Sequence, residues 1–198
     1  MFIQKMTWME RFCVAYKNEI DLPFSINMRI DRSSDELISI LADCGLKLVF
    51  FGLESGDETY RSVHLDRRMS DDDILRGADI LRKYGVIIIS YNMFGMPLET
   101  REMLQKTIAL NRKLQPDAVC AFVYQPLPNT KLGRLAFENN LVRPPPEDYW
   151  DYLVPSLDSP ELPASYIQEQ VALFRQEFNS PERVNQCFTK LRNFVGKE

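Results

Sequence analysis

The sequence holds a single histidine, His64, and four cysteines, Cys13, Cys44, Cys120 and Cys187, no two of them close together. That scarcity removes several chemistries at once. Metal-binding motifs place their ligands a few residues apart, and no such spacing occurs here. Disulfide scaffolds belong to small secreted chains, whereas 198 residues can bury a sizeable core without them. Cys44 and Cys120 lie within apolar patterns and read as buried free thiols. His64 has no neighbour that would make it a ligand or base and reads as a surface residue. No apolar run approaches the roughly 20 residues of a membrane span. The opening MFIQKMTWMERF carries charges where a signal peptide needs an uninterrupted apolar core, so the expectation is a cytoplasmic chain without a membrane partner. A basic excess is missing too. The formal net charge of -4 argues against nucleic acid as the main partner, because phosphate binding wants a basic face.

What is present is an alternation of short apolar runs and amphipathic stretches. Residues 5 to 19 read as a helix with Trp8, Phe12, Ala15 and Tyr16 on one face, and Pro23 stops it. PFSINMRI then reads as a strand. SSDELISILADCG reads as a helix with a Ser33–Glu36 capping box and Gly45 as its C-terminal cap. KLVFF follows as a fully buried strand. Ser70 with Asp71, Asp72 and Asp73 opens the next helix, its acids suiting the positive end of the helix dipole. VIIISYNMFG is a strand, Thr100 caps a helix to about Leu114, AVCAFVYQP is a strand, and TKLGRLAFENN is a helix. Strands at about 24–30, 47–53, 86–93 and 118–125, separated by helices, predict α/β architecture built from βα units with a parallel sheet. After Leu141 the pattern changes to a proline- and aromatic-rich segment. Two helices follow from about residue 164, split near Ser180-Pro181 and packed on the sheet as an extension.

Right-handed crossovers would put the C-terminal ends of all four strands on one face, where α/β proteins bind ligands. The polar residues collected there are Asn27 and Arg29 from the first strand, and Glu54 and Ser55 from the second. Asn92 comes from the third, and Tyr124 and Gln125 from the fourth. Glu54 can accept two hydrogen bonds from a vicinal diol, and Asn92 can donate and accept. Arg67 can clamp a carboxylate with two parallel bonds. A sugar, an acid and an aromatic wall suit a nucleoside-like ligand carrying an amino-acid tail. Taken singly, each residue also has a structural use. Glu54-Ser55-Gly56 could cap a helix beginning at Asp57, Asn92 could hold a loop, and Arg67 and Arg68 could be solvated charges.

The segments FGLESGDETYRSVHLDRRMSDDDILRGADILRKYGV and NMFGMPLETREMLQKTI, together with YQPLPNTKL, resemble the radical S-adenosylmethionine (SAM) superfamily. The branch often fused to a cobalamin-binding domain is the most similar. That branch has a strand ending in G-I-E-S-G, a later strand ending in F-G-x-P-G-E-T, and a Y-P-x-P-G-T-x-L segment on the last barrel strand. WMERFCVAYKNEIDLPFSINMRID resembles the helix and strand that precede the E-S-G strand. The resemblance covers about residues 5 to 142. It implies a partial (βα) barrel over 1–142 holding the last four of six strands, with residues 143–198 as a Pro/aromatic segment and C-terminal helices. It also implies that Glu54 binds the SAM ribose, with Ser55 beside it, and Arg67 the SAM carboxylate. Asn92 would approach the ribose, Val123 and Tyr124 would lie beside the adenine, and Asn27 and Arg29 would face SAM or substrate.

Two departures shape the functional expectation. The family's 4Fe–4S cluster sits on a C-x3-C-x2-C loop that this sequence does not contain. The glycine-rich end of the second barrel strand is also missing. Leu98 and Asn129 further stand where the family has glycine, so those loops are expected to sit differently. The implied function is the C-terminal segment of a radical SAM enzyme, inactive in radical chemistry by itself, with its substrate unread and cobalamin in another domain. The other function class is a binding module or remnant whose first strand docks a chain carrying the missing half, since an unpaired edge recruits pairing. A hydrolase on a complete barrel is excluded, because four strands do not close a barrel and no nucleophile–base pair is visible.

Overall fold

The computed structural model describes residues 5–143 and 154–195. Its sheet has four parallel strands in sequence order, β1 (Phe24–Asn27), β2 (Leu46–Glu54), β3 (Ile87–Phe94) and β4 (Ala118–Val123). Helices α1 (Met6–Glu19), α2 (Asp35–Cys44), α3 (Glu58–His64), α4 (Asp71–Lys83), α5 (Arg101–Leu114) and α6 (Lys131–Glu138) alternate with them. Two further helices follow, α7 (Ala164–Phe178) and α8 (Pro181–Val195). The four expected strands and their parallel order are therefore present. The first is shorter than expected, because a 3-10 turn at Ile30–Arg32 takes over after Asn27. The aromatic segment expected around EDYWDY lies outside the described residues.

Local chemistry sets the helix ends. Ser70 and Asp73 form a reciprocal capping box, the Thr100 hydroxyl accepts from the Met103 N–H, and Gly45 closes α2 at φ 120°. One cap differs from the sequence reading. Ser34, not Ser33, caps α2 by accepting the Leu37 N–H, and the Ser33 hydroxyl is buried instead. Leu98 and Asn129 differ in another way: both adopt positive φ, 61° and 67°, so those loops keep the backbone conformation that glycine favours.

Among the described residues, the sheet is buried on one face and partly uncovered on the other. Met28, Val49, Phe51, Leu53 and Ile88 pack with Leu37, Leu41, Ile74 and Leu81 of the helical layer. Farther along, Val119, Ala121 and Val123 pack against Phe174 and Phe178 of α7. The opposite face carries Phe50, Tyr91 and Phe122, whose rings meet across three strands with centroids 5.6 and 6.1 Å apart. Helix α8 covers only the lower part of that face, where Cys187, Leu191 and Phe194 meet Leu48, Ile87, Phe50 and Ile89. KLVFF is accordingly not fully buried, since Lys47 and Phe50 are half-buried. The edges differ as well. Asn179 bonds both the N–H and C=O of Val119 on β4, and Arg175 donates to the Ala121 carbonyl, while β1 pairs with β2 alone among the described strands.

Candidate functional site

Strand β2 ends irregularly. Its register with β3 shifts between Gly52 and Glu54, and Glu54 takes φ 64°, uncommon for a residue with a side chain. The Ser55 N–H donates back to the Leu53 carbonyl at 2.8 Å, closing a three-residue turn around Glu54. Backbone strain of this kind costs on the order of 1–3 kcal/mol and gathers at functional sites. The turn brings the Glu54 carboxylate back over the strand. Oε1 accepts from Arg67 Nη2 at 3.1 Å, and Arg67 Nη1 donates to the Gly52 carbonyl at 2.9 Å.

A Cβ on Gly52 would lie 2.2 Å from Glu54 Oε1 and 3.0 Å from Arg67 Nη1. Gly52 is the sheet partner of Tyr91, so the ion pair rests on the open face that carries Phe50, Tyr91 and Phe122. The glycines on either side of Glu54 thus supply room, and the positive φ belongs to Glu54 itself. Gly56 provides closeness on the other side, where a Cβ would fall 2.3 Å from the Lys106 carbonyl and the Thr107 nitrogen of α5. Its N–H donates to Thr107 Oγ1 at 2.7 Å.

The charges are poised between burial and pairing. Burial pushes the Glu54 carboxyl above its ordinary value, and the nearby Arg67 guanidinium opposes that shift. Arg67 is 31% exposed and uses one N–H of each terminal nitrogen, which leaves Nε–H and two further donors to receive an anion. An apolar groove of about 240 Å³ opens nearby at the end of β4, lined by Met93, Phe122, Val123, Tyr124, Gln125 and Leu127.

The remaining expected residues divide. Asn27 is exposed, and its register partner Phe50 places it on the open face. Arg29 follows it but commits its fork to Asp31, with bonds of 3.0 and 2.8 Å. Asn92 departs from expectation. It is fully buried on the helix-facing side, donates to the Ser90 hydroxyl at 3.0 Å and accepts from Asn111 Nδ2 at 2.7 Å, so its side chain points away from Glu54. The Ser55 hydroxyl likewise serves the turn, accepting the Asp57 N–H. Tyr124 is buried among Tyr60, Met96, Ala136 and Leu157. His64 is half-buried rather than on the surface, its ring 4.7 Å from that of Tyr60.

Sequence reasoning missed three supporting groups. Arg61 is fully buried beneath the site, Asp57 caps α3 while pairing with Lys106 at 3.0 Å, and Glu99 staples the loop after β3. No periodicity marks Arg61 as internal within ETYRSV. A conventional helix-start pattern was available for Asp57.

A cavity of about 650 Å³ lies at the opposite ends of β3 and β4. Its charged groups are already engaged: Lys190 with Asp117, Arg82 with Asp79, and Arg183 with the Pro116 carbonyl. The thiols do not fit an iron–sulfur cluster. Among the described residues no three candidate ligands converge, and burial pushes Cys13 up to about 12, where a thiolate is disfavoured.

The chain is similar to several known proteins. An uncharacterised methyltransferase from Pyrococcus horikoshii is 24% identical over 123 residues, 62% of this chain and 27% of the relative. An oxygen-independent coproporphyrinogen III oxidase from Helicobacter pylori is 26% identical over 140 residues, 70% of this chain and 30% of the relative. The chain therefore spans about a third or less of either relative. Among solved structures, the coproporphyrinogen III oxidase HemN from Escherichia coli superimposes with a TM-score of 0.64 at 18% identity, over 87% of this chain and 37% of that one. The radical SAM methyltransferase TsrM from Kitasatospora setae, with cobalamin and a [4Fe-4S] cluster bound, gives 0.57 at 21% identity over 69% and 26%. The Radical SAM superfamily model matches residues 4–110, and the chain belongs to that superfamily.

Proposed function

We propose that this chain supplies the ribose- and carboxylate-binding side of a SAM pocket in a radical SAM enzyme of the cobalamin-associated branch. The Glu54–Arg67 pair carries the reading: an acceptor and a residual donor set lie side by side at a strained strand end, on the open sheet face. Glu54 would accept the two ribose hydroxyls, and the unused N–H groups of Arg67 would receive the amino-acid carboxylate. The groove at the end of β4 has the apolar lining that a purine base needs. Asn27, exposed on the same face, would meet SAM or the substrate. The branch assignment rests on the E-S-G and FGMPLET segments and on the likeness to TsrM.

In this family SAM, its C–S bond cleaved by one electron with methionine leaving, would supply hydrogen-abstracting radical chemistry. Because the four thiols do not suit a cluster, no radical step is assigned to this chain, whose own residues bind and orient. The other side of the pocket would come from strands added at β1, in a longer polypeptide or in a partner chain. The contrast in edges favours that arrangement. Asn179 and Arg175 occupy backbone groups along β4, whereas β1 has one neighbour among the described strands.

Calorimetric titration of the chain with SAM tests the proposal. Wild type is expected to bind, and Glu54→Ala to bind at least about tenfold more weakly, as loss of a hydrogen bond to a charged group implies. Equal affinity in the two proteins would remove Glu54 from the site. Absence of binding by a folded wild-type chain would overturn the reading for this chain.

A further inference from the structure

Arg61 has no exposed side-chain surface, yet it touches the backbone on both sides of the Glu54–Arg67 pair. Nη1 donates to the carbonyl of Ser55, the residue after Glu54, at 2.9 Å. Nη2 donates to the carbonyl of Met69, just past Arg67, at 3.2 Å and pairs with Asp71 Oδ1 at 2.5 Å. The Arg61 carbonyl in turn accepts the Arg67 N–H at 2.9 Å. No other described side chain bonds to the backbone at both of these places.

Stability alone is a poor reason for such a residue. Burying a guanidinium is costly, and an apolar side chain of similar volume often serves a fold as well. Here the compensation is incomplete. Nε has no hydrogen-bond partner among the described residues, Asp71 is 42% exposed, and the second acid, Glu58, stands 3.9 Å away. What a guanidinium offers, and an apolar or single-headed side chain does not, is a rigid planar fork that fixes two acceptors relative to one another.

We infer that Arg61 is a positioning residue: its fork holds the loop after β2 and the loop before α4 at the separation that keeps Arg67 beside Glu54. The consequence for SAM rests on the proposed pocket, but the positioning itself does not. If the fork is lost, the loops loosen and Arg67 leaves Glu54, whose burial then goes unopposed. Lysine at 61 keeps the charge but presents a point donor that does not span both loops. Arg61→Lys therefore separates geometry from charge.

The test is a carboxyl ¹³C NMR titration of Glu54 in the full chain, for wild type, Arg67→Met and Arg61→Lys, with SAM calorimetry on the same samples. Arg67→Met should raise the Glu54 midpoint, and Arg61→Lys should raise it in the same direction although no charge has been removed. SAM affinity should fall about tenfold, the scale seen when an outer partner of a binding group is lost. A folded Arg61→Lys protein with an unchanged Glu54 midpoint overturns the inference. If Arg61→Lys does not fold, Asp71→Asn decides. Removing that negative charge would by itself lower the Glu54 midpoint, so a rise supports loosening, and a fall or no change overturns it. A wild-type chain that fails to bind SAM, while Arg61→Lys still moves Glu54, would sink the SAM reading and leave the positioning role standing.

Discussion

Glu54 shows how much one residue can carry. Its carboxylate faces Arg67, its backbone sits at φ 64°, and its neighbour Gly52 has no Cβ to block either. The sequence identified Glu54 as the candidate acceptor but did not show which residue makes the turn. Which residue takes the left-handed conformation depends on where the β2–β3 register breaks, and no local pattern encodes that. Strain at Glu54 has a measurable signature. Glu54→Gly should be about 1 kcal/mol more stable than Glu54→Ala, because alanine retains the Cβ penalty at positive φ. Both variants lose the carboxylate, so both should bind SAM at least about tenfold more weakly than wild type. Chemical denaturation of the pair checks the strain, and equal stabilities would show an unstrained turn.

At the scale of elements, the E-S-G turn is held from behind by α5. Gly56 lies against the Lys106–Thr107 backbone, and its N–H bonds the Thr107 hydroxyl. From Thr107 a buried polar chain continues. The Thr107 carbonyl accepts from Asn111, Asn111 donates to Asn92 and accepts from Ser90, and all four residues are fully buried. This explains the discrepancy at Asn92. Strand alternation assigns residues to a face, but which face is the ligand face requires knowing where α5 docks. Buried polar groups must also be satisfied, and Ser90 and Asn111 satisfy this amide. A methyl at Gly56 has no room to be accommodated, since the atoms it meets are backbone. Gly56→Ala should cost about 3 kcal/mol, as overpacking against a rigid partner does, and should weaken SAM binding through displacement of Glu54. Thermal melts and calorimetry on one preparation would check both; a melting temperature equal to wild type would contradict the packing.

Over the whole molecule, the loop after β3 depends on a buried acid. Glu99 Oε2 accepts the N–H groups of Gly95 and Met96 at 2.6 and 3.1 Å, while Oε1 has no hydrogen-bond partner among the described residues. Burial outweighs those two bonds and pushes the Glu99 carboxyl up from 4.5 to about 8. The folded chain therefore holds this proton more tightly than the unfolded chain does. The associated stability is fully present below about pH 4.5 and is lost as pH rises through about 8. Wild type should lose on the order of a few kcal/mol across that window from this group. Glu99→Gln, which does not titrate, should flatten the profile, as denaturant titrations at pH 5 and pH 8 would reveal. An identical pH dependence in the variant would show that Glu99 ionises normally.

The sequence by itself determined the alternation of four parallel strands with helices, most of the caps, and the candidacy of Glu54 as a diol acceptor and Arg67 as a carboxylate clamp. These follow from spacing, hydrophobic period and turn chemistry, all properties of a few neighbouring residues. Only the tertiary structure decided that Glu54 bears the positive φ, that Asn92 and Ser55 face inward, that Arg61 is buried beneath the site, and that α8 covers one end of the open face. Each of these depends on contacts between segments far apart in the chain, where packing and the satisfaction of buried polar groups override local preference.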